Sequence, residues 1–340
     1  MHKLLTYKNK VEKTHKGLGN LFVFDLVGTK ANKLIINIGI AGSGKSAAQR
    51  AVAKCNTNQH IERDAITRSG LEKLQKELNG FRGTFLIDDL GNVDTSYSLQ
   101  ESIKAAVALT YDHGLSKLNA KTDLEISDFY GAFLTSIQPE VMPQVVNSVS
   151  WEAVIRDKSI RYYHLFRVTK PNREPIDISV NWGIDLNDVS YQKIKTPIHD
   201  ELRKVFLSQH GLSRADEHLT DFLKASAALD NRKKVTLLDY KVLLEITRPM
   251  RLENQMLWKS TIAGEKEFLV DHFYLLSEFA TYGKVSLEQL ASNWFVTANS
   301  LQRILQDVKE LYTILPNDLE YIHMREITQN ILNESGYEVR

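Results

Sequence analysis

A chain of 340 residues with 43% hydrophobic and 25% charged side chains can bury a sizeable core, and because single cores rarely grow beyond about 250 residues, two or three domains are expected. Its 43 basic and 42 acidic side chains leave a formal net charge of +1, which excludes a globally basic nucleic-acid binder and leaves any such contact to local patches. The single cysteine, Cys55, excludes an internal disulfide framework; with no apolar run near the roughly 20 residues of a membrane span and no apolar core for a secretory signal, a cytoplasmic location without membrane contact is expected.

The first 30 residues hold "MHKLLTYKNKVEKTHKG", with lysines at 3, 8, 10, 13 and 16. They are read as a basic N-terminal extension, a solvated arm that could also touch phosphate. An α/β region then runs over 31–185. It opens on "KLIINIG", an apolar run of the kind a buried strand needs, and continues through "GIAGSGKS" into the Ala-rich "SAAQRAVAK", which reads as a helix. Gly39, Gly44, Lys45 and Ser46 complete G-x-x-x-x-G-K-[ST], with Gly42 and Ser43 inside the loop. Glycines permit the tight turn that aims consecutive N–H groups at phosphate oxygens, and the following helix presents its positive end to the same anion. Lys45 is expected on the β- and γ-phosphates and Ser46 on Mg²⁺.

A phosphate loop needs an acid on a neighbouring strand, and "GTFLIDD" supplies two. Thr84–Ile87 can form a buried strand that delivers Asp88 to the metal and Asp89 to the attacking water. The next strand-like run, "FYGAFLTSIQP", ends in Thr135, Ser136 and Gln138.

These three segments together resemble the core of AAA+ ATPases. "LIDDLG" is similar to the doubly acidic form of bacterial replication initiators and helicase loaders in that superfamily. No N-K-x-D motif for guanine stands at a suitable position, so ATP with Mg²⁺ is the expected ligand pair. The resemblance implies a polar γ-phosphate sensor on the third strand, for which Ser136 is the first choice. It also implies an arginine finger in "SWEAVIRDKSIRYYHLF", Arg156 before Arg161, that would act on a neighbouring subunit's ATP and so requires a homo-oligomer. Residues 113–136 resemble the insertion of the clade that includes the minichromosome maintenance helicases, a β-hairpin that would carry Lys117 and Lys121 toward DNA.

Residues 186–255 read as helices, with Thr236 and Asp239 spaced as a helix start. In the same clade this region is a helical lid, which would place Arg214 near the γ-phosphate as a second sensor. Residues 265–330 give helix, short connection, helix, helix and two strand-like pieces, with Ser286 and Thr297 as helix caps. That pattern resembles the winged helix of archaeal and eukaryotic initiators. Its third helix buries Leu301, Ile304, Leu305, Val308 and Leu311 and turns Asn299, Ser300, Gln302, Arg303 and Gln306 outward, side chains able to bond bases or phosphates. Asp307, Glu310 and Asp318 oppose DNA and suit a protein client. Neither metal-ligand histidine spacing nor a G-x-S-x-G turn competes. The expectation is a three-layer α/β AAA+ ATPase with a helical lid and a winged helix, an oligomer acting on DNA in replication. The alternatives are a transcriptional or signalling switch and a loader of a protein partner.

Overall fold

Alternation along the first strand organises the molecule. In β1 (Leu34–Gly39) the side chains of Leu34, Ile36 and Ile38 enter one core and that of Ile35 enters another, as the two-residue period of a strand buried on both faces requires. The computed structural model describes all residues except 57–58, 65, 67, 93–94, 120–121, 149, 171, 260–265 and 338–340.

Four more parallel strands complete the sheet: β2 (His60–Arg63), β3 (Thr84–Ile87), β6 (Ala132–Ile137) and β7 (Ile160–His164), in the order β2-β3-β6-β1-β7. Between β3 and β6 stands an antiparallel hairpin, β4 (Leu115–Asn119) with β5 (Thr122–Ile126). β1 thus lies between two strands that are both later in the chain, the kind of position where open α/β sheets bind ligands beyond their strand ends. The architecture is three-layered. One face of the sheet packs on α5 (Ser96–Tyr111) and, farther out, on residues 268–337; the other packs on α1 (Lys3–Thr14), α2 (Gly19–Lys30), α3 (Lys45–Cys55) and the helices of 197–247.

Residues 1–30 differ from the solvated arm expected of them. Leu4, Tyr7 and Val11 bury one stripe of α1, and α2 is buried from Leu21 to Thr29. "LFVFDLVG" is apolar almost all round, the composition of a helix enclosed on every side. The five lysines that suggested an arm occupy the outer face of α1 and its exit. Asp25 of α2 accepts both of its side-chain hydrogen bonds from Asn37 of β1, at 3.0 and 2.8 Å. Burial pushes its carboxyl well above the ordinary range.

The described residues of 165–196 form no strand, and the one short helical turn among them is Leu186–Asp188. This segment crosses α3 as a packed strap: Cys55 Sγ donates to Ile178 O at 2.9 Å, and Lys30 Nζ donates to Trp182 O at 3.0 Å. Helices Pro197–Leu207, Leu212–Leu229 and Leu237–Thr247 follow. The last begins with a reciprocal capping box between Thr236 and Asp239. The final part comprises helix Val270–Tyr282, a short strand Val285–Ser286, helices Leu287–Trp294 and Ala298–Asp307, and a hairpin (Tyr312–Leu315 with Asp318–Met324) whose second strand pairs with Val285–Ser286. Ser286 and Thr297 cap their helices by accepting from Gln289 N and Ser300 N. Helix Glu326–Glu334 was not foreseen. No helix among the described residues is long and apolar enough to cross a membrane.

A buried ion pair is built on β7. Arg161 is fully enclosed and donates from Nε and Nη2 to both oxygens of Glu253, at 2.6 and 2.9 Å, and from Nη1 to Arg156 O and Ser159 O. Glu253→Ala leaves this guanidinium buried without its carboxylate and should cost about 3–5 kcal/mol of stability in urea unfolding. Arg203→Ala, which breaks the outlying pair with Asp216, should cost under about 1 kcal/mol in the same assay.

Candidate functional site

β1 ends at Gly39 and the chain turns back into α3 through a loop that only glycine permits at two points. Gly42 and Gly44 have φ of 70° and 84°, in the left-handed region costly to other residues. A Cβ on Gly44 would also stand 2.9 Å from Leu18, and one on Gly39 would stand 2.8 Å from His164 O. The loop is therefore fitted against α2 on one side and β7 on the other.

His164 fixes that fit. It is buried, and its Nε2 lies 3.0 Å from Ser43 O; since a carbonyl only accepts, Nε2 carries the proton. Burial and the nearby Lys45 push its pKa down to about 3, so the ring is neutral across the physiological range. Lys45 Nζ donates to Gly39 O at 2.5 Å and to Ile40 O at 2.8 Å. Burial draws its pKa down to about 8, against the upward pull of Asp89, Glu140 and Asp88, and it stays mostly protonated at neutral pH.

A cavity of about 440 Å³ opens beside the loop, lined by Gly42, Ser43, Gly44, Lys45 and Ser46, by Asp89, Ser136 and Gln138 from the ends of β3 and β6, and by Arg50 of α3. His15, Lys16 and Leu18, from the turn between α1 and α2, and Val168, Lys170 and Asn172, from the start of the strap, close its other wall. Lys16, Lys45, Arg50 and Lys170 bring four cationic side chains to a wall whose carboxylate is Asp89. That balance suits a polyanion of the charge and size of a nucleoside triphosphate.

The acids beyond β3 hold distinct positions. Asp89 accepts from Gly91 N at 2.8 Å through Oδ1 and from Gln138 Nε2 at 3.0 Å through Oδ2. Asp88 pairs through Oδ2 with Arg50 Nη2 at 2.6 Å, while its Oδ1 is buried without a hydrogen-bond partner. Ser136 Oγ donates to Asp88 O and ties the two strand ends together. Among the described residues no trio of His, Cys, Asp or Glu could hold a metal by itself. The Ser46 hydroxyl lines the cavity and Asp88 adjoins its wall through bonds to Arg50 and Ser136, an oxygen pair that suits Mg²⁺ with its remaining ligands taken from phosphates and water.

The structure thus brings together Gly39, Gly42, Ser43, Gly44, Lys45, Ser46, Asp88, Asp89 and Ser136. Three other expected residues lie elsewhere in this chain. Arg161 stands in register with Ile36 at the start of β1, at the opposite sheet edge from the loop, and its bonds to Glu253 make it a structural ion pair and not a finger. Arg156 lies on the same edge with Nε 3.7 Å from Glu253. Arg214 does not line the cavity: it pairs with Glu217 at 2.7 Å and with Asp157 at 3.6 Å and covers the Tyr111 ring. The cause is local, because Gly211 N donates to Asp157 Oδ1 and so seats this helix start beside the turn before β7. Among the described residues, none of the 197–256 helices lines the cavity; they pack against α1 and α2 instead. The side chain of Lys117 and the whole of Lys121 lie outside the described residues, although the hairpin that carries Lys117 is formed. Asn299 and Arg303 are exposed on helix Ala298–Asp307.

Arg50 and Lys170 were not singled out from the sequence, and His164 reads there as a lone structural histidine. Arg50 had a signal, since it stands four residues after Ser46 and shares its helix face. His164 and Lys170 reach the loop only through the sheet order.

The sequence matches no protein-family profile and no curated protein. A solved structure titled as that of a "putative ATPase" from Cytophaga hutchinsonii is similar over 89% of this chain and 96% of that one, at 13% identity and a TM-score of 0.36. A likeness of that size carries no argument, and the functional reading rests on the cavity itself.

The neutrality of His164 has a measurable sign. Its pKa is lower in the folded chain than in an unfolded one, so the unfolded state binds more protons once pH falls below about 6.5, and stability drops with decreasing pH until the folded pKa is reached. His164→Gln should make the decline in unfolding free energy between pH 6.5 and 5 shallower by up to about one proton's slope, checked by urea titrations at several pH values.

Proposed function

We propose that this chain is a Mg²⁺-dependent ATPase of the AAA+ kind that works on DNA as a homo-oligomer, with residues 265–330 as a winged helix. The observation that carries the ATPase reading is the convergence of four cations, the loop and Asp89 on one cavity, with Asp88 bonded to the Arg50 of its wall. Lys45 would move from its loop carbonyls to the β- and γ-phosphates. Ser46 and Asp88 would hold Mg²⁺, which neutralises phosphate charge when bound. Asp89, oriented by Gly91 N and Gln138, would accept the proton of the attacking water. Ser136, bonded to the backbone of Asp88, would keep the acids in register with the terminal phosphate.

The DNA reading is supported by helix Ala298–Asp307, which buries Leu301 and Leu305 and exposes Asn299, Ser300, Gln302, Arg303 and Gln306. A second reading, a loader or switch with a protein client, is favoured by different side chains of the same module. Phe295 is 95% exposed and Leu319 is 65% exposed, and Asp307 and Glu310 repel phosphate. Arg156, at the sheet edge away from its own loop, remains the finger candidate of the oligomer reading.

Lys45→Ala should abolish ATP binding measured with a fluorescent analogue; unchanged binding would remove the ATPase reading. Asp89→Asn should retain ATP and slow its hydrolysis by roughly 10²–10⁴-fold, the range of a lost general base. Arg303→Ala should weaken DNA binding roughly tenfold without altering basal turnover. If DNA neither binds nor stimulates the wild-type ATPase, the protein-client reading replaces the DNA one.

A further inference from the structure

Of the cavity's cations outside the loop pattern, Lys16, Arg50 and Lys170, it is Arg50 that is bonded to the acidic strand end. Arg50 is anchored in α3, five residues after Lys45, and its guanidinium bridges two carboxylates on neighbouring strands. Nε meets Glu62 Oε1 at 2.6 Å on β2, and Nη2 meets Asp88 Oδ2 at 2.6 Å beyond β3. The Arg50 side chain is 42% exposed, against 23% for Asp88, and it lines the same cavity as Lys45, Ser46 and Ser136. The carboxylate it occupies is the one with a buried, unpartnered Oδ1.

On the ATPase reading above, we propose that Arg50 is a phosphate-binding catalytic residue supplied by the chain's own loop helix, and that it exchanges Asp88 for the terminal phosphate when the divalent cation arrives. A divalent cation on Asp88 Oδ1 would stand within a few ångströms of the guanidinium on Oδ2, and the repulsion between the two weakens that ion pair. A cation at Asp88 therefore loosens the guanidinium, and the cavity offers that guanidinium a polyphosphate that it can bind in bidentate fashion. Glu62, on the strand at the sheet's edge, keeps hold of Nε and restricts the movement to a swing between Asp88 and the cavity. Charge developing on the phosphate would then meet an arginine already in place.

The exchange predicts an effect on metal opposite to that of a structural residue. With a non-hydrolysable ATP analogue bound to the full chain, the Mn²⁺ concentration for half-saturation, read by electron paramagnetic resonance, should fall about two- to fivefold in Arg50→Ala, because the cation no longer displaces a partly exposed ion pair. In the same variant kcat for ATP should drop by at least about 10²-fold, toward the range of lost transition-state arginines. Arg50→Lys, which retains a charge but not the fork, should return the Mn²⁺ requirement toward wild type and recover little of kcat. Glu62→Gln, which leaves the guanidinium with Asp88 alone, should raise the Mn²⁺ requirement. A requirement that rises or stays unchanged in Arg50→Ala overturns the exchange, and an unchanged kcat overturns contact with phosphate. Failure of the ATPase reading itself is separately visible, as a wild type whose analogue binding is indifferent to Lys45→Ala.

Discussion

One hydrogen bond, from His164 Nε2 to Ser43 O, ties the phosphate loop to β7, and the rest of the site follows from it. A loop of this composition has no reason to hold one shape by itself, because Gly42 and Gly44 widen its choices. Its shape comes from its neighbours. β7 touches it at Gly39 and Ser43, α2 touches it at Gly44 through Leu18, and a Cβ at either glycine would collide with those walls. The constraint works only if β1 lies between β6 and β7, which the paired registers of Asn37 with Ser136 and Tyr162 provide. Burial, with Lys45 nearby, also keeps the imidazole neutral, so that no second positive charge stands beside the ammonium.

Some of this was legible in the sequence because it is local. The loop is written in four spaced residues, the acidic strand end in an apolar run that stops at Asp88, and the helix starts in Thr236, Ser286 and Thr297. Each depends on side chains within a few residues of one another. The N-terminal helices also carried a signal, since Leu4, Tyr7 and Val11 recur at helical spacing, but five lysines drew attention to charge and away from that stripe. The apolar "LFVFDLVG" has no alternation or helical period to read, because a segment enclosed on all sides needs none.

The arginines show where local reading stops. Arg156, Arg161 and Arg214 look alike in sequence, each beside an acid or at the start of an element. Their fates are set by partners far along the chain: Glu253 lies 92 residues beyond Arg161, and the helix of Arg214 is seated by Asp157. Arg50 was overlooked for the converse reason. Its helix position was plain, but its importance depends on Glu62 and Asp88, which only the pairing of β2 with β3 brings to its side.

The segment that leaves β7 is held from both sides. Toward the cavity, Val168 abuts Gly44 and Phe166 abuts Gly17. Away from it, Arg167 binds Glu278 at 2.9 Å and Thr281, Leu165 N donates to the hydroxyl of Tyr337, and Ser277 Oγ donates to Leu165 O. One short run of chain thus supplies both a wall of the cavity, through Val168 and Lys170, and the mooring of the C-terminal module, through Leu165 and Arg167. A ligand that shifted Val168 or Lys170 would press on the same run that Glu278, Ser277, Thr281 and Tyr337 hold, so if the module has a docked and an undocked state, the two equilibria are linked through it. By reciprocity, whatever factor separates ligand affinity in the docked and undocked chain is also the factor by which that ligand changes the docking equilibrium. A partner that pulled on the far end of the molecule would therefore work against, or be assisted by, the contents of the cavity to the same extent.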